Sequence, residues 1–285
     1  MIEVEGVPPL EHAVLIAAFE GWNDAADAAS GVITHLIDVF DGRSVAEFDP
    51  EDYYDFQVNR PMVSVSDRGV RSLTWPTTRI YLARTPNGKD LVLVRGIEPS
   101  MKWRSFVSEL IGLAFELDVE TVVTLGALLA DTPHTRPVPI TGTASTAGLA
   151  QTLSLEPSSY EGPTGIVGVL TDATTRAGLE TVSFWAAVPH YVAHPPCPKA
   201  TLALLHELED VLDVSVPVGD LEEESSAWQR GVDELAEDDD EVAEYVRGLE
   251  TARDTAALPE ASAPPIAREF ERYLRRREDG PGRRG

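Results

Sequence analysis

Residues 13–24 read Ala-Val-Leu-Ile-Ala-Ala-Phe-Glu-Gly-Trp-Asn-Asp. Ala13–Phe19 is apolar throughout, with no period-two alternation. That is the pattern of a strand covered on both faces, the habit of parallel sheets. Gly21 permits a tight turn. Asn23 or Asp24 can cap a helix predicted from Asp24 to about Phe40, with Ala28, Val32, Leu36 and Val39 on one face. In open α/β sheets ligands bind just past the carboxyl ends of strands. The turn therefore puts Glu20, Trp22, Asn23 and Asp24 where a site can form.

Outward from this unit, a short strand is expected near Val45–Phe48, followed by the acidic and aromatic stretch Asp49–Phe56. It lacks the spacing and glycine of an EF-hand calcium loop. It reads either as a solvated acidic loop or as an aromatic–acidic patch against another chain. Val70–Trp75, Arg79–Arg84 and Asp90–Arg95 read as strands, the last two joined through Asn87-Gly88, a hairpin signal of the type I′ class. A helix follows, with Trp103, Phe106, Val107, Leu110, Ile111, Ala114 and Leu117 along its apolar stripe. Thr121–Leu125 reads as a buried strand feeding a long loop, residues 126–137, and long loops in compact domains are often functional. Strands are also expected at Val138–Thr143, Ile166–Leu170 and Thr181–Val188, with short helices at Thr146–Leu153 and between the last two strands. The prolines of 189–198 exclude a helix, and Lys199–Leu212 closes the main domain.

From Asp220 to Glu260 there are 15 acids against 3 bases. Two helices are expected there, near 218–235 and 239–256, docking through Trp228, Val232, Leu235, Val242, Tyr245, Val246 and Leu249. Residues 261–265 read as a linker, Ile266–Arg277 as an amphipathic helix, and the remainder as a disordered tail. Residues 1–215 then form the α/β domain, 216–260 an acidic helical extension, and 261–285 a basic end that can lie on an acidic surface.

Length allows a core that buries roughly three quarters of the unfolded surface. With 48 acids against 23 bases the net charge is −25. This argues against nucleic acid or an anionic membrane as partner, since each needs a positive footprint. One cysteine, Cys197, allows no intrachain disulfide and no thiolate cluster. With no signal-peptide pattern and no apolar run of about 18 residues, a cytoplasmic location is expected.

Motifs for catalysis are missing. No phosphate-binding Gly-x-x-x-x-Gly-Lys occurs, the Gly-x-Gly-x-x-Gly at 280–285 falls in the stretch read as a disordered tail rather than after a predicted strand, and Ser145 does not sit in a Gly-x-Ser-x-Gly turn. No catalytic residue, cofactor or metal is therefore assigned. His190 and His194, with Asp131 and His134, admit a His/carboxylate metal site, though loop histidines more commonly bond backbone. If the strand ends converge, Glu20, Trp22, Asn23, Asp24, Arg95, Glu98, Asp131, His134, Arg136 and His190 share one rim. That rim is either an ion-paired structural border or a small-molecule pocket.

Several pieces carry a family likeness: Glu20-Gly21-Trp22-Asn23-Asp24-Ala25, Asn59-Arg60-Pro61, Arg95-Gly96-Ile97-Glu98-Pro99 with Trp103 and Phe106, Leu125-Gly126-Ala127, Asp131–Pro137, Tyr160-Glu161-Gly162-Pro163 and Trp185–Tyr191. In this order, over about residues 10–212, the chain resembles the actinobacterial branch of the type-two proteasome assembly chaperone family. The resemblance implies a three-layer α/β/α sandwich with a mixed sheet, phosphorylase/hydrolase-like, that self-associates as a homo-oligomer, a trimer among the options. It implies a protein-interaction module with proteasome subunits as partners. The alternative is a small-molecule hydrolase- or phosphorylase-like, or ATP-dependent ligase-like, enzyme at the rim. There Asp131 or Glu20 would serve as base and Arg95 or Arg136 would hold an anion.

Overall fold

Strand β1, Ala13–Glu20, is the centre of the molecule. Its side chains alternate between two separate cores: Val14, Ile16 and Ala18 enter one, and Ala13, Leu15, Ala17 and Phe19 enter the other. Both are closed to water, which is why the stretch shows no polar alternation. The computed structural model of the chain describes residues 7, 9–156, 158 and 160–257.

The other strands are β2 (Arg43–Glu47), β3 (Met62–Val65), β4 (Arg71–Thr74), β5 (Arg79–Arg84), β6 (Asp90–Ile97), β7 (Val119–Ala130), β8 (Ile140–Ala144) and β9 (Glu180–Pro189). Seven form one sheet in the order β2-β5-β6-β1-β7-β9-β8. The central four, β6, β1, β7 and β9, run parallel, whereas β2, β5 and β8 pair antiparallel at the edges. β3 and β4 make a separate two-stranded hairpin.

The helices are α1 (Ala28–Val39), α2 (Pro50–Tyr53), α3 (Trp103–Glu116), α4 (Ala147–Thr152), α5 (Ile166–Arg176), α6 (Pro198–Leu212), α7 (Leu221–Glu237) and α8 (Asp240–Ala257). α1 and α6 cover one face of the sheet, with Leu221 of α7 joining their core. α3 and α5 cover the other. The result is a three-layer α/β/α sandwich with a mixed sheet, as expected. The linker, amphipathic helix and tail expected at 261–285 lie outside the described residues.

Four local readings change. Ile166–Leu170 is not a strand but the start of α5. Its β-branched run suggests a strand, yet the buried residues Ile166, Val167, Leu170 and Thr174 recur at helical spacing. β7 continues to Ala130, so the long loop shortens to residues 131–139. The β5–β6 turn is not type I′: among its residues only Gly88 has positive φ, and Pro86 at the first central position fixes φ negative. It is a type I turn closed by a glycine in the left-handed region. Finally, Tyr53 and Tyr54 are buried, the first edge-on to Phe48 and the second bonded to Thr78, while Glu51 and Asp52 stay exposed. The Asp49–Phe56 stretch turns its tyrosines inward.

Gly126 of β7 lies opposite Trp185 of β9, whose ring covers its Cα. A Cβ at 126 would stand 2.6–2.7 Å from three ring atoms. Gly126→Ala is expected to lower stability by about 1–3 kcal/mol, read from urea unfolding. The same change in a Trp185→Ala background should cost little, because the ring it meets is gone.

Candidate functional site

The chain leaves the adjacent strands β1 and β6 toward opposite faces, into α1 and α3 respectively. Such divergence opens a crevice at the strand ends. One amide side chain binds its walls together. Asn23 is fully buried, its backbone oxygen accepts from the Ala127 N–H of β7 (2.8 Å), and its Nδ2 donates to Glu98 Oε1 (2.7 Å). The same carboxylate oxygen accepts from the Ile166 N–H at 2.8 Å. Glu98 thus caps α5, where Gly165 at the N-cap has no side chain to do so. A negative group at a helix N-terminus is favoured by the free amides and the dipole. Gly165 is required by packing: a Cβ there would approach Glu98 Oε1 and Asn23 Nδ2 to 2.7 Å. Asn23 Oδ1 faces the same glycine and has no hydrogen-bond partner.

Glu20 and Arg95, on neighbouring strands, form an ion pair at 2.9 Å. The base and the anion-holder of the small-molecule reading are here each other's partner. Trp22 projects into solvent, 65% exposed.

Asp24 points inward. Its carboxylate accepts from the backbone N–H groups of Ala29 (2.6 Å) and Ser30 (3.2 Å), capping α1 across a 3-10 turn at Ala25–Asp27. Burial outweighs these bonds and pushes its pKa up from 3.8 to about 6.

The second group gathers at the end of β7 and β9. His134 is buried. Its backbone N–H donates to Tyr191 Oη (2.8 Å), Nδ1 bonds the same hydroxyl (2.7 Å), and Nε2 meets Asp233 of α7 at 2.9 Å. Lys199 Nζ donates to its carbonyl oxygen and to Gln229 Oε1, and burial pulls the Lys199 pKa down. Arg136 forks onto Asp254 through Nε (2.9 Å) and Nη2 (2.8 Å), with Nη1 on Glu250 at 3.1 Å. The guanidinium beside it holds the Asp254 carboxyl below the usual range. Asp131 accepts from Tyr245 Oη (3.0 Å) and lies 3.4 Å from His190 Nδ1. Rings of His134, His190, Tyr191 and Tyr245 meet edge to face. The loop at 131–136 is therefore the seat of the α7–α8 pair. Beside it a cavity of about 360 Å³ is lined by Tyr191, Val192, Val232, Leu235 and Val242.

All ten predicted rim residues thus lie at one edge of the sheet, but in two groups, with Asp24 turned inside. Gly165, Asp233, Glu250 and Asp254 complete these groups and were not singled out from sequence, whereas Tyr191 figures there only within the family likeness. Among the described residues no three His, Cys, Asp or Glu side chains converge as metal ligands, and His194 is exposed. Cys197 is buried, its thiol pushed up to about 11 by that burial. Ser145 Oγ accepts from the Thr181 N–H. No described helix is long and apolar enough to cross a membrane.

Because the folded-state pKa of Asp24 exceeds its unfolded value, the folded chain holds the proton more tightly. Its contribution to stability is largest at low pH and is lost as pH rises through 6. Asp24→Asn removes this dependence. From pH 5 to pH 8 the stability of the variant relative to the native chain should rise by about 1–2 kcal/mol, measured by urea unfolding.

A search of curated proteins returns no significant match. A solved PAC2 family protein from Streptomyces avermitilis is 61% identical, with a TM-score of 0.78 over 82% of this chain and 99% of that one. A proteasome-assembly chaperone homologue from Mycobacterium tuberculosis is 53% identical, TM-score 0.76, with the same coverage of both chains. A protein of unknown function from Corynebacterium glutamicum is 28% identical, TM-score 0.81, covering 90% of this chain and 98% of that one. The PAC2 family model matches residues 18–236, from β1 through almost all of α7. The chain belongs to the PAC2 family.

Proposed function

We propose that this chain is a non-catalytic protein-interaction module that acts in proteasome-related assembly as a homo-oligomer. The observation that carries the reading is at the strand ends. The charged rim groups are held by partners within the same chain, so the rim offers other molecules apolar side chains. Glu20 holds Arg95, Glu98 holds Asn23 and α5, and Arg136 holds Glu250 and Asp254. Trp22, Leu128 and Leu129 stand 65%, 44% and 49% exposed at the same border. Exposed aromatic and aliphatic groups rimmed by charge mark protein contacts. Family membership supports the same direction, as does the 53%-identical relative described as a proteasome-assembly chaperone homologue. The net charge of −25 suits basic or polar protein surfaces rather than nucleic acid. In this reading residues 1–215 are the interaction domain, 216–260 brace its strand-end loop, and the module works in the cytoplasm.

Mixing the purified chain with proteasome α and β subunits tests the proposal. Co-elution with one subunit type, and faster appearance of assembled rings at less than one chain per subunit, are expected. Subunits that elute alone and assemble at an unchanged rate would refute it.

A further inference from the structure

One element is covered by nothing among the described residues of its own chain. In the β3–β4 hairpin every residue is exposed. Val63 faces Leu73 and Val65 faces Arg71 across the ladder, so Val63, Val65 and Leu73 share one side. These three stand 49%, 63% and 50% exposed. The opposite side is polar at its centre, where Ser64 and Ser72 hydroxyls bond at 2.6 Å. An isolated two-stranded hairpin is marginal in water and needs its apolar side packed. The hairpin leads into β5, whose first residue, Arg79, lies opposite Arg95 near the end of β6. It therefore springs from the sheet edge that also carries Trp22, Leu128 and Leu129. Trp75 anchors its base on Phe56, ring centres 4.8 Å apart.

Charge indicates what covers the hairpin. Between 58 and 75 there are three arginines, Arg60, Arg68 and Arg71, against the single acid Asp67. This is a positive arm on a chain of net charge −25. The most direct complement to a basic, apolar arm is an acidic surface with exposed apolar groups. Outside 58–75 the chain carries 47 acids (48 less Asp67) against 20 bases (23 less the three arginines), so a second copy offers an acidic surface, and Trp22, Leu128 and Leu129 supply its exposed apolar groups at the rim.

We propose that the β3–β4 hairpin is an arm that docks on the strand-end rim of a second copy of this chain. The inference rests on the self-association in the proposed function and names the surface that performs it. Arm and rim are different patches, so a copy whose arm sits on a second copy and whose rim takes the arm of a third makes head-to-tail contacts. Repeated contacts of that kind close a ring if the rotation between copies allows. The arm's apolar side, Trp22 and the leucine pair leave water together, and the arginines gain carboxylate neighbours.

The test is sedimentation velocity on the full chain. The native protein should sediment as a closed oligomer. Leu73→Asp, on the arm, and Trp22→Asp, on the rim, should each sediment as single protomers with native circular dichroism. Both sites are exposed, so the core is untouched. Mixing the two variants restores one good contact per pair, since the Trp22→Asp arm still fits the Leu73→Asp rim. A heterodimer should then appear from two monomeric preparations, which also shows that both variants are folded. A native chain that sediments as one protomer would overturn the proposal, leaving binding of proteasome subunits to be judged on its own experiment. So would a Trp22→Asp oligomer of native size, which indicates arm-to-arm pairing, or variants that stay monomeric when mixed.

Discussion

The fully buried side chain of Asn23 is the point on which the strand-end face depends. Its backbone oxygen receives β7, its Nδ2 holds Glu98 on the segment leaving β6, and that carboxylate receives the first amide of α5. Three strand ends and one helix terminus are fixed by Asn23, buried at 0% exposure, and the half-buried Glu98. A buried hydrogen bond to a charged group is worth about 1.5–3 kcal/mol, and leaving one partner unpaired costs as much again. Gly165 keeps the approach open, since any side chain there would meet both groups. The interlock explains why this crevice offers no free acid, base or cation. Its charges are engaged in holding the loops together.

The loop at 131–136 follows the same logic on the other half of the border. His134 is bonded through both ring nitrogens and both backbone groups, and Arg136 is held by two carboxylates of α8. Beside these paired groups Trp22, Leu128, Leu129 and the arm formed by β3 and β4 stand in solvent. A face whose charged groups are paired from within and whose apolar groups stand exposed is suited to recognise protein. The arm is net positive on a chain of net charge −25, so arm and rim differ in charge as well as in place.

Much of this was legible in the residues. Unbroken apolarity from Ala13 to Phe19 implies a strand between two layers, and Gly21 with Asp24 implies the turn and cap. Convergence of the turns follows once the strands are parallel. Two kinds of information were not legible. Local composition misleads where burial decides: Ile166, Val167 and Val169 look like a strand, and only the helical recurrence through Leu170 and Thr174 shows otherwise. Long-range partners are also invisible. Asp233, Glu250 and Asp254 are three of 15 acids between 220 and 260, and nothing in one dimension separates those that meet His134 and Arg136 from those facing water. The hairpin of β3 and β4 was half legible. Its second strand is apparent from Val70 to Trp75, but that the ladder stands apart from the main sheet is a property of the folded chain.

A double-mutant cycle between Asn23 and Glu98 tests the interlock most directly. Asn23→Ala, Glu98→Ala and the double variant are compared by urea unfolding. The account predicts a coupling of about 1.5–3 kcal/mol, with the double variant far less damaged than the two losses summed. Losses that add to within about 0.5 kcal/mol would contradict it. The strand ends would then be held by their ladders alone.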